Sequence, residues 1–377
     1  MMNPTMFDPI ALDAWYSDEN NDSLLQTELE HYLQNYFSCF SQQPQRRLFQ
    51  TFIQGLLSPL ERKSIEPVAL HFSGEKYELL SRQIGAGCGM LSVDDTSFVK
   101  KGKHSAGVKR QYCGCLGKTE NCQSGVFLAC AGDKGYGLVD YELYIPKEWF
   151  SGDYSKLREE CHIPEEKTFA TKNQIAQRML NQVIKSGRFQ VQWVGCDAAY
   201  GNDHGFLDGL ELPEGVWYFA ATNAKEQVFL EYPQQSFPET KRGRPRKHPV
   251  LSNGPTSVRD IAEDPSLPWE TVVLAEGTKG PIIAERKFLR CFSCRADGSR
   301  NYVKPGDEIW LYLRKYAGDE IKYFVSNAPA DLPVGELDRA ATLRWPIEQC
   351  FEECKSNLGM GIMSAAATKA GTAICCL

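Results

Sequence analysis

The sequence predicts an α/β fold, and three observations carry that prediction. Met90-Leu91-Ser92-Val93 followed by Asp94-Asp95-Thr96 has the form of a buried strand ending in carboxylates. Gln123 to Ala131 and Tyr136 to Ile145 supply two more strand-like runs, each bounded by Gly, Lys or Pro. An amphipathic helix follows at about Lys172 to Ser186, with Ile175, Met179, Leu180, Val183 and Ile184 on one face, and then the apolar run Phe189 to Cys196 ends at Asp197.

Strand, strand, strand, helix, strand is the opening order of a ribonuclease-H-like domain, which sets carboxylates at the ends of its first and fourth strands. Residues 89–211 are therefore expected to form the first part of such a domain. Ahead of it, residues 1–88 read as helical. Leu24, Leu25, Leu29, Leu33 and Phe37 recur mostly four apart, a second periodic stretch runs from Arg47 through Leu57, and Pro59 and Pro67 break the pattern. An N-terminal helical domain with a DNA-binding role is the expectation there. Residues 212–330 carry short β-like runs between Pro/Gly loops, including Val216 to Ala221, Ile282 to Arg286 and Ile309 to Leu313, and read as a β-rich insertion. Gly335 to Leu358 returns to helical spacing, which makes 331–377 the C-terminal helical part of the catalytic domain.

Composition narrows the function classes. The chain of 377 residues is 42% hydrophobic and 11% aromatic, enough to bury real cores. It lacks both a run of the roughly 20 apolar residues a bilayer requires and an N-terminal export signal, so no membrane association is expected and the location reads as cytoplasmic. A net charge of −6 argues against a protein that coats nucleic acid, but two basic clusters suit local phosphate contacts. One is Lys100, Lys101, Lys103, His104, Lys109 and Arg110; the other is Lys241, Arg242, Arg244, Arg246 and Lys247. The 14 cysteines are scattered, which favours reduced thiols; Cys113/Cys115 and Cys291/Cys294 have ligand-like spacing without the partners a zinc site needs.

Cleaving or transferring a phosphodiester needs an activated oxygen nucleophile and charge stabilisation on the entering and leaving oxygens. Two Mg²⁺ ions about 3.5–4 Å apart, held by carboxylates, supply both. Asp95 and Asp197 at strand ends and Glu348 on a following helix have that chemistry. Arg344, Glu348 and Lys355 stand at i, i+4 and i+11, close to one helical stripe, and would flank a ligand with two phosphate-binding cations. Taken singly, Glu348 also suits a solvated ion pair and Asp197 a helix cap.

The segment Val93 to Ser105, with Arg110-Gln111-Tyr112-Cys113-Gly114 behind it, resembles the first catalytic block of bacterial insertion-sequence DDE transposases. Asp197-Ala198-Ala199-Tyr200-Gly201 is similar to their second block, and Arg344, Glu348 and Lys355 match three positions of their Tyr-Arg-Glu-Lys signature, with Ala341 where the Tyr would stand. The resemblance covers about residues 45 to 360. It implies metal ligation by Asp95, Asp197 and Glu348, with Asp94 as the alternative to Asp95. It also implies Mg²⁺ dependence with Mn²⁺ able to substitute, and double-stranded DNA as partner, both inverted-repeat ends and target. A dimer on paired ends would cut and join through a freed 3′-OH, with Arg344, Lys355, Lys100, Lys101 and Lys103 on phosphates. Arg242-Gly243-Arg244-Pro245-Arg246 further suits an extended segment in a narrow minor groove or a basic loop on phosphates. Trp217, Trp269 and Trp310 are expected in core packing, with base stacking the alternative.

Two departures from the resemblance predict a damaged copy. Gly85-Ala86-Gly87-Cys88 runs almost directly into Gly89-Met90, where the family carries a further helical stretch. Only 29 residues follow Glu348, and one permissible codon set for 362–377, read one base earlier, restores a family-like string, so a frameshift near Gly361 is expected. Such a copy would be either a transposase with impaired activity or a non-catalytic DNA-binding remnant; a nuclease without strand transfer is the other enzymatic reading.

Overall fold

A computed structural model describes residues 88–237, 247–277, 280–296, 302–318 and 320–356, together with residues 29, 31–37, 46 and 53. The chain divides into two compact units, Met1–Lys76 with Cys375–Leu377, and Tyr77–Ile374. In the first unit the described residues include a helical turn over 31–34 in which Leu33 is buried. Most of the expected N-terminal helical domain, the junction at residues 85–87 and the tail after Ser356 lie outside the described residues.

The second unit is built on one twelve-stranded sheet. Its opening elements are β1 (Cys88–Val99), β2 (Lys109–Cys113), β3 (Lys118–Gly132), β4 (Gly135–Tyr144), α1 (Ser155–Glu160), α2 (Lys172–Ser186) and β5 (Val191–Cys196). β1 pairs antiparallel with β3 and parallel with β5, and β3 shares its other edge between β2 and β4. The expected strand and helix order is present. β2 is an addition, formed by residues that the sequence placed in a basic cluster and in the first motif block without reading them as a strand.

α2 starts and stops where the sequence says it should. Thr171 accepts a hydrogen bond from the Gln174 backbone while the Gln174 side chain accepts from the Thr171 N–H, a reciprocal cap, and Gly187 at φ 64° takes the left-handed position that ends the helix. Its buried face of Ile175, Ala176, Met179, Leu180 and Val183 packs on Leu91, Val93, Val126 and Leu128 of the sheet.

After β5 come α3 (Ala198–Gly201), α4 (His204–Asp208) and β6 (Trp217–Thr222), and β6 pairs parallel with β5. Here the structure departs from the expected domain limits. Val216 to Ala221 was expected to open the insertion, yet β6 is a central strand of the same sheet as the carboxylate-bearing strands.

The rest of the β-rich region comprises β7 (Gln227–Phe229), β8 (Gln235–Ser236), β9 (Val250–Leu251), β10 (Thr256–Ser257), α5 (Val258–Glu263), β11 (Glu270–Gly277), β12 (Gly280–Ala296), β13 (Val303–Lys315) and β14 (Lys322–Ser326). Most of these strands prolong the sheet beyond β6 in the order β14, β13, β12, β7, β10, rather than folding apart from it. The three tryptophans of this region pack. Trp310 is buried and donates Nε1–H to the Pro329 carbonyl, Trp217 lies against Trp193, and Trp269 has Lys287 and Lys315 over its ring.

Two helices close the described chain, α6 (Val334–Leu343) and α7 (Pro346–Ser356). The sequence read this stretch as one helix. Pro346 divides it, because proline has no N–H to give the Thr342 carbonyl and restricts the residue before it. α6 packs Leu337, Ala340 and Ala341 on Met90, Trp193, Phe219 and Tyr312, while α7 packs Ile347, Cys350, Phe351 and Cys354 on Phe98, Phe127 and Ala129. α2 therefore covers one face of the sheet, and α6 and α7 cover the other.

Nine described cysteines are free, Cys291 and Cys294 among them, but Cys130 is disulfide-bonded, which corrects the expectation of uniformly reduced thiols. No helix among the described residues is long and apolar enough to cross a membrane.

Candidate active site

Strand alternation separates the two adjacent aspartates. Leu91 and Val93 of β1 face α2, so Asp95 faces the same way; Met90 faces α6, so Asp94 and Thr96 look toward α6 and α7. The contacts agree. Lys172, first residue of α2, donates Nζ to Asp95 Oδ2 at 2.6 Å, and Ser124 Oγ donates to the same oxygen at 3.3 Å. On the opposite face Lys355 of α7 donates Nζ to Thr96 Oγ1 and sits 5.9 Å from the Phe98 ring centre.

The parallel pairing of β1 with β5 ends at Val93 opposite Cys196, so Asp94, which lies inside β1 rather than at the strand end expected from sequence, stands beside Asp197, the residue that follows β5. Cys196 packs toward α2, which places Asp197 on Asp94's face. The Asp94 carboxyl is raised to about 7, chiefly by burial, then by Asp197 and more weakly by Asp95, with the Asp95 N–H and Arg344 opposing them. Asp197 is likewise raised by burial, against hydrogen bonds from the Tyr200 and Ala199 N–H groups and the charge of Arg344.

Asp197 also caps α3, and both of those backbone bonds fall on Oδ1, at 2.9 and 3.3 Å. α3 is pressed onto β6: a Cβ on Gly201 would stand 2.0 Å from the Ala221 carbonyl oxygen, so only glycine fits at the end of Asp-Ala-Ala-Tyr-Gly. This contact anchors the turn that carries Asp197. The Tyr200 hydroxyl is buried without a hydrogen-bond partner, and its pKa is driven far up by burial, with Asp95, Asp94 and Asp197 adding to the effect.

Glu348 lies in the first turn of α7, seven residues or about 10 Å of helix before Lys355. Its Oε1 accepts from Arg344 Nη2 at 3.2 Å, and the glutamate side chain is half exposed. Arg344 is thus a shared counter-ion: it bonds Glu348 and acts electrostatically on Asp94 and Asp197. Because Pro346 breaks the helix, the single Arg344-Glu348-Lys355 stripe expected from spacing is replaced by a corner, with Arg344 ending one helix and Glu348 opening the next.

Among the described residues no three His, Cys, Asp or Glu side chains converge closely enough to hold a metal ion. Asp95 is engaged with Lys172 and Glu348 with Arg344, so the expected trio of Asp95, Asp197 and Glu348 is not gathered. The donor chemistry at Asp94 and Asp197 does fit a divalent cation. Two part-buried carboxylates whose charged forms are both disfavoured despite the charge of Arg344, beside an orphaned hydroxyl, are hard oxygen donors.

Of the expected DNA contacts, Lys101 and Lys103 are exposed on the loop after β1, and Lys100 is half-buried with its pKa lowered by that burial. Arg242, Arg244 and Arg246 lie outside the described residues. Lys172 was missed in sequence because it reads as an ordinary first-turn helix residue; only tertiary pairing brings it to Asp95.

Residues 78–281, more than half of the chain, match the family described as DDE superfamily endonuclease. The chain belongs to that family. The DDE superfamily endonuclease match contains Asp94, Asp95 and Asp197, and it stops before Glu348. No curated protein matches the chain. Among solved structures, the NurA nuclease from Sulfolobus solfataricus aligns over 80% of this chain and 90% of its own at 10% identity, with a TM-score of 0.29, too loose a likeness to carry an argument.

Proposed function

We propose that this DDE superfamily endonuclease is a transposase of the insertion-sequence type, cutting transposon ends and joining the freed 3′-OH to target DNA. One observation carries the reading: Asp94 of β1 and Asp197 just after β5 stand side by side where the parallel pairing of the two strands ends, on the face where α6 and α7 bring Arg344, Glu348 and Lys355. The first ligand is then Asp94, the alternative weighed from sequence, while Asp95 braces the strand through Lys172. Asp197, capped through Oδ1, contributes its other oxygen, and Glu348 completes the set on leaving Arg344.

Mg²⁺ held there, or Mn²⁺ in its place, supplies charge stabilisation for in-line attack at phosphorus. The protein's own contribution is positioning. Arg344, released from Glu348, and Lys355 bind phosphates beside the scissile bond, and Lys100, Lys101 and Lys103 with Arg242, Arg244 and Arg246 hold the flanking duplex. Two copies on paired double-stranded ends fit this chemistry, in the cytoplasm where the chromosome lies.

The test is Mg²⁺-dependent nicking of DNA bearing the element's ends, followed by strand transfer from a pre-cut end. The reading requires both activities, with loss on Asp197→Ala and on Asp94→Asn. Nicking without transfer would make the protein a hydrolytic nuclease. A second reading, a DNA-binding remnant that competes for ends, is favoured by the engaged state of Glu348 and the absence of a gathered trio among the described residues. Specific end binding with no nicking in Mg²⁺ or Mn²⁺ would establish it instead.

A further inference from the structure

Two thiols stand outside the carboxylate site. β2 ends at Cys113, and a single 3-10 turn, Gly114–Leu116, leads toward β3. The turn sets Cys115 Sγ 3.2 Å from Cys113 Sγ. A disulfide spans about 2.05 Å, so bond formation requires a closing movement on the order of 1 Å. Gly114 between them meets nothing within 4 Å of an added Cβ, which leaves this short turn room to adjust.

The two thiols differ in access. Cys113 is fully buried and Cys115 is exposed, so only Cys115 can meet a reagent from solution. Cys115 Sγ otherwise makes a weak contact of 3.7 Å with the Ser97 carbonyl. Cys122, hydrogen-bonded to Cys113, is buried too and directs its thiol to the Gln111 carbonyl. An exposed nucleophile backed by a buried second thiol is the arrangement of an attacking and a resolving cysteine.

We propose that Cys113 and Cys115 form a modification site for low-molecular-weight disulfides of the glutathione class. Cys115 as thiolate attacks one sulfur of the reagent, forming a protein–reagent disulfide and releasing one reagent thiolate, which takes up the proton Cys115 gave up. Cys113 then loses its proton and attacks the Cys115 sulfur, expelling the second reagent thiol and leaving a Cys113–Cys115 disulfide. In sum, two protein thiols are oxidised and one reagent disulfide is reduced to two thiols. Partial desolvation of its sulfur and the neighbouring Cys113 hold the Cys115 thiol above its ordinary range, against Lys355, so the reaction accelerates as pH rises.

This site is independent of the nuclease reading, and its test uses no DNA. The full chain is exposed to oxidised glutathione, quenched in acid, digested with trypsin and weighed by mass spectrometry. Cys113 and Cys115 fall in one peptide, residues 111–118, and Cys122 in the next, residues 119–134, which also carries the disulfide-bonded Cys130. The expected product is peptide 111–118 lacking two hydrogens. Cys113→Ser should stop at one glutathione on Cys115, and the surface variant Cys115→Ser should leave Cys113 unmodified. The proposal is overturned if wild type keeps glutathione on Cys115, if 111–118 is joined to 119–134 through Cys122, or if neither thiol reacts.

Discussion

Asp94→Asn separates the electrostatics of the two adjacent aspartates, because it acts on stability in the opposite direction to Asp95→Asn. Asp94 carries a folded-state pKa of about 7 against an ordinary 3.8. Below pH 3.8 the carboxyl is protonated folded or unfolded and contributes no difference. Between 3.8 and 7 the folded chain holds a proton the unfolded chain has released, so stability falls as pH rises, and above 7 the whole penalty is present. At about 1.4 kcal/mol per pKa unit the ceiling is on the order of 4 kcal/mol, and water reaching this part-buried group reduces it to roughly 2–4 kcal/mol.

In urea titrations with a chelator present, wild type should therefore lose stability between pH 5 and pH 8 relative to Asp94→Asn. The variant should be the more stable of the two at pH 8 by roughly 2–4 kcal/mol. Added Mg²⁺ should then stabilise wild type, by about 2.7 kcal/mol at a hundredfold excess over Kd, and leave the variant nearly unchanged. Asp95→Asn removes a carboxylate that Lys172 and Ser124 bind, and should cost about 1–3 kcal/mol, between the values for exposed and buried pairs. Parallel pH profiles for wild type and Asp94→Asn, with equal Mg²⁺ gains, would refute the assignment of Asp94 to the cation-binding face.

Three further measurements probe other parts of the argument. Asp338 on α6 is buried, accepts from Tyr312 Oη at 2.7 Å and pairs with Arg286, so Asp338→Ala should cost about 3–5 kcal/mol in denaturant unfolding; a loss below about 1 kcal/mol would show that this network does not hold α6 on the sheet. Burial alone would raise Glu142, but hydrogen bonds from Lys167 and Arg178 bring it below its ordinary 4.5. Its stabilisation is present above pH 4.5 and is lost as pH falls through the lowered value, so Glu142→Gln should flatten the acid limb of the stability profile, and an unaltered limb would contradict the pairing. If the loop after β1 meets phosphates, Lys101→Ala with Lys103→Ala should weaken end binding and lower the salt slope, log K against log salt, by about 2; an unchanged slope removes that loop from the interface.

What the sequence determined by itself was local and periodic. The limits of α2 follow from a capping Thr171, an apolar face at helical spacing and a terminating Gly187. The strand bearing Asp94 and Asp95, and the strand running into Asp197, were legible from apolar runs, and the motif residues pointed to the DDE family before any fold was in hand. Which aspartate faces the other was not legible, because two adjacent residues of one strand point to opposite faces, and the choice depends on which helix covers each. The partner of Asp95 likewise required tertiary structure, whereas the Arg344–Glu348 contact is the ion pair that their spacing of four offered. Lys172 lies 77 residues from Asp95, and Arg344 acts on Asp94 and Asp197 from the end of α6, which its packing on Met90 and Trp193 sets against the sheet. Continuity of the sheet past β6 was hidden for the same reason: a short apolar run reads alike in a core strand and in an insertion, and only its hydrogen-bonding neighbour, β5, makes it central.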